Sequence, residues 1–472
     1  MRKIFLIVII LVLFISKSFA QENNKIEEHI LTFEEYLGYV KKHHPLIKKA
    51  NLKLTIGEAN LLKSRGGFDP RIEIDYKRKY FNNTEYYNQL NSTFKIPTWY
   101  GIELKANFED NTGDFLNPNL KVPENGLYSA GVSFSLAQGL LINERMAMLK
   151  KAKFYIQQTK SERELLVNNI IFDASKAYFN WLEAYNEMKI HKRFMKNALF
   201  RYNAVKRNIE IGEKAAIDSV EAKITLQNRR LNLEATSLKT KKALLKASNF
   251  LWVNNLPLEI SSEIYPITPD KKVLTSSLML ESLINQENFL INHPKIKSIR
   301  AKVGGLKVEQ SLKRNKLLPK LDFQYNFLTS NINEINNFNI SNNKAFVNLS
   351  FPLFLRKERG GLQLAKLKLK EANFSLVSET LTIKNKVDAL NEEIYSLKKQ
   401  HKLITNIVAD YEALLNAEER KFVLGESSLF LVNSREQKLI NSELKANIIK
   451  VKVLKANINL FNTFGLSNMN VN

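Results

Sequence analysis

The sequence predicts a mostly α-helical protein with a small β part, built from two internal repeats. Three observations predict this class. Short motifs recur in the same order in both halves, long segments carry apolar residues at heptad spacing, and shorter segments alternate polar and apolar residues. Only 16 Gly and 11 Pro occur in 472 residues, which favours long regular elements.

The composition excludes several kinds of site. The chain has no Cys, which excludes disulfides, thiolate metal sites and a cysteine nucleophile. Its six His show no metal-ligand spacing apart from the adjacent His43 and His44. No nucleophile motif or Gly-rich phosphate loop is present. We therefore predict no enzyme, no cofactor and no metal site.

The net charge of +24 has two interpretations. It could indicate an acidic partner such as nucleic acid or an anionic membrane, or it could reflect lysines on the solvent faces of long helices. No compact basic block with interleaved aromatic residues occurs. The sequence therefore favours solvated helix faces and no nucleic-acid partner.

Residues 1–20 have the pattern of a secretory signal peptide. Arg2 and Lys3 precede an apolar run from Ile4 to Ile15, and Ser18 and Ala20 give small residues before a cleavage site. The alternative is a membrane anchor, but the run is shorter than the roughly 20 residues that a spanning helix needs. We predict that the mature chain is exported.

Four motifs recur in order and define a first repeat at 21–255 and a second repeat at 281–472, joined by a linker at 256–280 that forms an equatorial region. The pairs are His44-Pro45 with His293-Pro294, Asp69-Pro70 with Leu318-Pro319, Ser133–Leu136 with Ser350–Leu353, and Gly212 with Gly425. Pro70 and Ser133 are 63 residues apart, but Pro319 and Ser350 only 31, so the first repeat carries 32 extra residues there.

The longest segment of each repeat has a heptad pattern. In the second repeat the apolar steps alternate between four and three residues, and the equivalent positions 213 residues earlier are apolar too, apart from His191. Such a sustained period of 3.5 predicts coiled-coil-like packing. The second-repeat positions are Ile383, Val387, Leu390, Ile394, Leu397, His401, Ile404, Val408, Tyr411, Leu415, Glu418 and Phe422.

Gly212 and Gly425 each interrupt such a helix, and a resumed helical pattern follows. Glycine adopts backbone conformations that end a helix and reverse the chain. We therefore predict two long helical hairpins, with tips near 209–219 and 422–432 and a final C-terminal helix. The first outgoing helix, from about Leu140 to Ile211, would be on the order of 100 Å long.

At the other end of each hairpin, alternating segments predict strand hairpins at about 71–136 and 320–354. One apolar face and one polar face suit a transmembrane β-barrel, and the alternative is a soluble hairpin packed on a core. Four strands cannot close in a membrane, so the barrel reading requires an oligomer, and three chains would supply twelve strands.

A further alternating stretch at 94–108, with a turn near Pro97 to Gly101, leaves open whether residues 88–110 add strands to this barrel. Our default is four strands per chain, and two more would make eighteen in a trimer. Trp99 and Tyr100 in this stretch would suit a membrane interface.

This ordered set of motifs resembles the TolC-like outer-membrane channels of efflux and type I secretion, over nearly the whole mature chain. The resemblance implies a homotrimer with a shared β-barrel in the outer membrane and a long α-helical barrel in the periplasm. It implies passive passage of substrates through the exit duct of a tripartite system. The implied partners are outer-membrane lipid, a periplasmic adaptor (membrane fusion) protein and an inner-membrane pump or ABC-type transporter.

The resemblance also assigns roles near the tips. Gly212 and Gly425 would be the periplasmic tip turns. Asp218 matches a polar residue of the family and is a candidate latch between coils, with Glu221 beside it, although an acid at this place could simply complement a helix N-terminus.

The second tip departs from the family pattern. Ser427 stands where an arginine is found, and Leu431 and Ser434 stand where two acidic residues form a selectivity ring. A cation-attracting ring is therefore not expected among these aperture positions. The run Leu429–Val432 would form an apolar constriction, an adaptor groove or ordinary coil packing.

One alternative function has no pore: an exported coiled-coil scaffold or adhesin, or a periplasmic adaptor. Adaptors place a β-module between the two helices of one hairpin, whereas this sequence predicts two duplicated hairpins with strands at their far ends. The alternating strands therefore favour the channel.

Overall fold

The computed structural model describes residues 30–213, 215–277, 289–337 and 339–465. The predicted signal peptide at 1–20 lies outside the described residues. The first repeat contains helices α1 (Phe33–His43), α2 (Pro45–Arg65), α3 (Glu144–Glu210) and α4 (Ala216–Ser248). After α5 (Lys271–Ser277), the second repeat contains α6 (Phe289–Asn292), α7 (Pro294–Asn315), α8 (Arg356–Val423) and α9 (Leu429–Phe464).

Six strands form one antiparallel sheet at one end of the long helices. They are β1 (Arg71–Phe81), β2 (Thr84–Pro97), β3 (Glu103–Thr112), β4 (Leu127–Ser135), β5 (Lys320–Thr329) and β6 (Asn343–Ser350). The order across the sheet is β6-β5-β4-β3-β2-β1. Each repeat therefore places its strands between a pair of shorter helices and a pair of long ones.

The region 71–136 holds four strands rather than the one pair that was predicted, so the sheet has six strands instead of four. The turn predicted near Pro97 to Gly101 connects β2 to β3. Asn82 and Asn83, both with positive φ (51° and 55°), form the two-residue turn between β1 and β2. The 32 extra residues of the first repeat thus correspond to an inserted hairpin, β2–β3, which separates β1 from β4.

The repeated His-Pro motif is a helix cap. His44 accepts the backbone N–H of Leu46 at its Nδ1 (3.2 Å), and His293 accepts that of Lys295 in the same way (3.1 Å). Each following proline occupies the first turn of its helix, where a missing N–H costs no hydrogen bond. The motif recurs because both repeats start a helix by the same device.

The heptad seams pack as the sequence predicts. In α8, all twelve seam positions are buried or half-buried, and the residues between them are mostly exposed. The 67 residues of α3 make it about 100 Å long at 1.5 Å per residue. This helix starts at Glu144 rather than near Leu140, because the side chain of Asn143 caps it by accepting the N–H of Met146 (2.9 Å).

The largest core lies midway along the helices, where the linker crosses them. Trp181 and Tyr178 of α3 pack with Phe33 and Tyr36 of α1, and all four are fully buried or nearly so. The Tyr178 hydroxyl donates to the carbonyl of Leu31 (2.8 Å).

Short strands complete this central region. Ile30–Leu31 pairs in parallel with Tyr265–Pro266, and Trp252–Val253 pairs with Leu256–Pro257. The contact between the first pair ties the start of the first repeat to the linker.

Candidate functional site at the hairpin tips

The two tips have the same backbone geometry. Gly212 and Gly425 have φ of 82° and 80°. In each tip the next residue donates its N–H back into the helix, from Glu213 to the carbonyl of Asn208 and from Glu426 to that of Lys421, both at 2.9 Å. This is the Schellman arrangement that ends a helix at a glycine with positive φ.

Ser427 of the second tip holds a carboxylate. Its hydroxyl donates to Oε1 of Glu418 (2.5 Å), and Arg435 lies 3.6 Å from the other oxygen. The hydrogen bond from Ser427, aided by Arg435, holds the pKa of Glu418 below its usual range. Ser427, the residue that stands in place of the family arginine, therefore keeps an ionised seam residue in place.

Asp218 lies in the first turn of α4 and is half-buried. Its backbone N–H donates to Ala215 (3.0 Å), and no described residue forms a hydrogen bond or ion pair with its carboxylate. The position fits an acid at a helix N-terminus and leaves the carboxylate available to another chain.

Two other candidates lie at the start of α9. Leu431 is 39% exposed in its first turn, and Ser434 is half-buried one turn further on. The N–H of Leu431 donates to the capping hydroxyl of Ser428 (3.3 Å). Within the chain, neither candidate side chain meets a charged group that the structure describes, so they supply no ionic contact there.

Glu221 connects the first tip to the second. Its Oε1 accepts from the side-chain amide of Asn433 (3.1 Å), and the amide oxygen of Asn433 accepts from Arg201 (3.2 Å). Glu221 on α4 and Arg201 on α3 thus meet through a residue of α9.

A buried ionic network lies next to this contact. Glu436 on α9 is 0% exposed, and its two oxygens accept from Arg201 on α3 (3.0 Å) and Arg229 on α4 (3.1 Å). Arg201 also contacts Glu419 on α8 (3.1 Å), and Arg229 donates to Gln437 (2.6 Å). We call Arg201, Arg229, Glu419 and Glu436 the four-helix network, because each comes from a different long helix.

The charges of the four-helix network balance, with two guanidinium groups and two carboxylates. Burying a charge is costly unless opposite charges and hydrogen bonds compensate it. Here the carboxylate of Glu436 has both oxygens satisfied by arginine donors, which form the stronger, charge-assisted hydrogen bonds. The network therefore fixes one arrangement of the two hairpins within a chain.

The four-helix network was not predicted from the sequence, although the sequence contains a signal for it. Arg229 lies between the buried Leu226 and the half-buried Leu233 of α4, at steps of three and four residues, and Glu436 lies between Val432 and Leu439 of α9. The heptad seams predicted from the sequence lie on the outgoing helices, α3 and α8, only. The same spacing on the returning helices would have marked both charges as seam residues.

Trp99 and Tyr100 are far from the tips, in the turn between β2 and β3 at the helix-facing end of the sheet. Trp99 stacks on Phe68 with ring centroids 5.5 Å apart, and its carbonyl accepts from the amide of Asn143 (3.0 Å). Tyr100 is 62% exposed. Trp99 thus anchors the turn to the helical part of the chain, and Tyr100 is exposed.

The described residues contain neither a helix that could span a membrane nor a cluster that could hold a metal ion. None of the helices there combines the length and the apolar character needed to cross a membrane. In the same part of the chain, no group of His, Asp and Glu is arranged to hold a metal ion.

Comparison with known proteins shows what this chain is similar to. Residues 286–466 match the family model described as outer membrane efflux protein. Among curated proteins, no sequence matches the chain.

Solved outer-membrane proteins share the fold at low sequence identity. The CmeC channel of Campylobacter jejuni is 14% identical, with a TM-score of 0.66 over 91% of this chain and 85% of CmeC. The open state of the MtrE channel of Neisseria gonorrhoeae is 13% identical (TM-score 0.64, 92% and 88%). VceC of Vibrio cholerae, an outer membrane protein, is 10% identical (TM-score 0.64, 91% and 95%).

Of these, CmeC and MtrE are channels rather than enzymes. The second repeat thus matches the outer membrane efflux protein family, and the chain as a whole has the fold of outer-membrane channels, as its resemblance to TolC-like channels predicted.

Proposed function

We propose that the protein is an outer-membrane channel that passively conducts substrates out of the periplasm, as the exit duct of a tripartite efflux or type I secretion system. Its sheet would lie in the outer membrane and its long helices in the periplasm. A periplasmic adaptor would dock at the tips, and an inner-membrane pump or ABC-type transporter would supply the energy.

The sheet carries this proposal, because it has one apolar and one polar face. Residues that are paired across strands share a face. On β4 and β5 one face presents Tyr128, Ala130, Val132, Phe134, Leu321, Phe323, Tyr325 and Phe327. The other face presents mostly Ser, Gly, Asn, Gln and charged residues. A wall with lipid on one side and water on the other requires this division.

The sheet is open at both edges, which supports an oligomer. Within the described part of the chain, no strand pairs with the outer edges of β1 and β6. All residues of β6 and all but one of β1 are exposed. Open edges are not tolerated in a bilayer, so copies of the chain would pair edge to edge. A homotrimer is the assembly that the resemblance implies.

The tips would form the gate. Asp218 has a carboxylate without a described partner in its own chain, and it lies beside the reversal at Gly212. In a trimer, a hydrogen bond or ion pair from Asp218 to a neighbouring coil would hold the tips together. Adaptor contact would then release them.

Single-channel conductance in planar bilayers tests the proposal. We expect purified wild-type protein to show a small conductance and Asp218→Ala to show a larger one. The matched control is Glu213→Ala, which removes an equal charge from an exposed position in the same tip. An equal rise in both variants would assign the effect to net charge and reject the latch.

Two further results decide between a channel and a scaffold. Conductance in the wild type without a change in Asp218→Ala would keep the channel and reject the latch. No conductance from folded, oligomeric protein would instead favour a coiled-coil scaffold or adhesin.

A further inference from the structure

We propose that the inserted hairpin β2–β3 is part of the membrane wall, with its apolar face against lipid acyl chains and its polar face towards the water of the lumen. This inference rests on the proposed function and makes it more specific. It gives each chain six wall strands instead of the four that the two repeats share.

The apolar face of the sheet continues through the hairpin without a change of side. One row of paired residues runs Ile72, Phe94, Ala106, Ala130 and Phe327 from β1 to β5. The paired hairpin residues on this side are Asn88, Leu90, Ser92, Phe94, Ile96, Leu104, Ala106, Phe108, Asp110 and Thr112. Six of these ten are apolar, and three of the four polar ones, Asn88, Asp110 and Thr112, lie at the outer end of the hairpin.

The opposite side of the hairpin is polar apart from Tyr87 and Pro97 near the two ends of β2. Its polar members are Gln89, Asn91, Thr93, Lys95, Glu103, Lys105, Asn107, Glu109 and Asn111. A hairpin packed on a protein core would bury one face, whereas here both faces stay partly accessible. The same lipid-and-water division therefore applies to β2 and β3 as to β4 and β5.

Contacts on the polar face join the hairpin to strands on both sides. Lys95 of β2 forms an ion pair with Glu73 of β1 (2.5 Å). Lys105 of β3 reaches past β4 and donates to Gln324 of β5 (3.1 Å). The hairpin is thus integrated in the sheet and does not project from it as a separate arm.

Strand lengths and end residues fit a bilayer. The 14 residues of β2 and the 10 of β3 meet the roughly 9–11 that a tilted membrane strand needs. Aromatic residues lie at both ends of the hairpin: Tyr86 packs on Phe115 (4.7 Å between ring centroids) at the outer end, and Trp99 and Tyr100 lie at the helix-facing end. Aromatic girdles at the two interfaces are typical of membrane barrels.

Six strands per chain also allow the sheets of neighbouring chains to pair in antiparallel orientation and close into a barrel. Because the sheet is antiparallel throughout and the count is even, β6 of one chain would meet β1 of the next in antiparallel orientation. Three copies would then form a wall of eighteen strands, and barrel diameter grows roughly linearly with strand number.

Site-directed fluorescence tests the position of the hairpin. The chain has no Cys, so one introduced Cys gives one label. Phe94→Cys and Thr93→Cys, adjacent residues on opposite faces, are each labelled with an environment-sensitive fluorophore in full-length protein reconstituted in phosphatidylcholine vesicles. We expect the label at position 94 to have a blue-shifted emission and to be quenched by doxyl-labelled lipid. We expect the label at position 93 to be quenched by iodide instead.

A second pair on β5 separates this inference from the proposed function. Phe323→Cys and Gln324→Cys lie on the same two faces of a strand that both repeats share. If this pair divides between lipid and water but both hairpin labels are quenched by iodide alone, the hairpin lies outside the membrane and the inference is overturned. If all four labels are aqueous, the sheet is not a membrane wall and the proposed function fails as well.

Discussion

At the scale of single residues, Gly212 and Gly425 determine how the tips reverse the chain. A Cβ at either position would meet no atom within 4 Å, so a substitution there acts through backbone conformation and not through a clash. Left-handed backbone costs a residue with a side chain about 1–2 kcal/mol. We expect Gly212→Ala and Gly425→Ala each to lower the free energy of unfolding by about this amount, measured as a fall in Tm by circular dichroism in detergent.

Gly360 provides the matched control for the tip glycines. It lies inside α8, also with no atom within 4 Å of a Cβ, but its φ is negative. Alanine is favoured over glycine inside a helix by about 0.5–1 kcal/mol, so Gly360→Ala should raise Tm. A fall in Tm for all three variants would show that conformation is not the cause.

His293 should make stability depend on pH. Its Nδ1 accepts the N–H of Lys295, and its Nε2 lies 2.9 Å from the carbonyl of Thr463, so the neutral ring with its proton on Nε2 satisfies both contacts. Burial lowers the pKa of His293, and the Thr463 contact opposes this in part. The unfolded state therefore binds protons more readily, and stability falls as the pH drops below about 6.5.

An Asn at this position caps a helix without titrating. We expect the Tm of His293→Asn to fall less than the Tm of the wild type when the pH is lowered from about 7.5 to about 5. An unchanged loss would assign the pH dependence to other groups, since burial also lowers the pKa of His44 and His191.

At the scale of elements, the four-helix network should contribute strongly to stability. Glu436→Gln keeps the shape of the side chain but leaves Arg201 and Arg229 without their shared buried carboxylate. Breaking a buried ion pair by removing one partner costs about 3–5 kcal/mol. We expect a correspondingly large fall in Tm, with the helical hairpins separating first.

Glu187→Gln is the control for this prediction. Glu187 of α3 pairs with Lys239 of α4, the two helices that supply the arginine partners of Glu436, but the Lys239 side chain is 52% exposed. Exposed pairs contribute about 0–1 kcal/mol. Equal small effects of both substitutions would mean that water reaches Glu436 in solution.

The elements were predicted from sequence to different degrees, for physical reasons. The seams of α3 and α8 were predictable because a period of 3.5 over twelve positions is a local signal. The strands of the inserted hairpin were visible as alternation at 94–108, but their place in the sheet order was not, because pairing partners are set by contacts between distant segments. The network of Arg201, Arg229, Glu419 and Glu436 joins residues up to 235 positions apart, which no local pattern specifies.

At the scale of the whole molecule, the two repeats are equivalent in order but not in strand number. Both place helices, strands and a long hairpin in the same sequence, and the inserted hairpin is added between β1 and β4 only. The even number of inserted strands leaves β1 and β4 antiparallel to each other. The insertion therefore widens the sheet without changing the direction of any shared strand.

This parity gives a prediction for deletions. Removing residues 84–112 takes out β2 and β3 together and leaves β1 and β4 antiparallel, with Ile72 and Ile74 on the same face as Tyr128 and Ala130. We expect this variant to form a heat-modifiable oligomer in the outer-membrane fraction. Removing residues 84–102 takes out β2 but leaves β3. To pair with β1 in an antiparallel sheet, β3 would then have to run in the reverse direction. We therefore expect this variant to form no oligomer, although it loses fewer residues.

Semi-native gel electrophoresis of membrane fractions distinguishes the two variants. Oligomers from both deletions would show that strand direction is not what closes the sheet. Loss of the oligomer in both would instead show that the hairpin is needed for its contacts with the helices. The described contacts of that kind include the ion pair of Glu103 with Arg145 (2.7 Å), the bond from Asn143 to Trp99 and the stacking of Trp99 on Phe68, and Arg145→Met would then be expected to impair assembly by itself. Assembly of the larger deletion alone is the result that only the parity of an antiparallel wall explains.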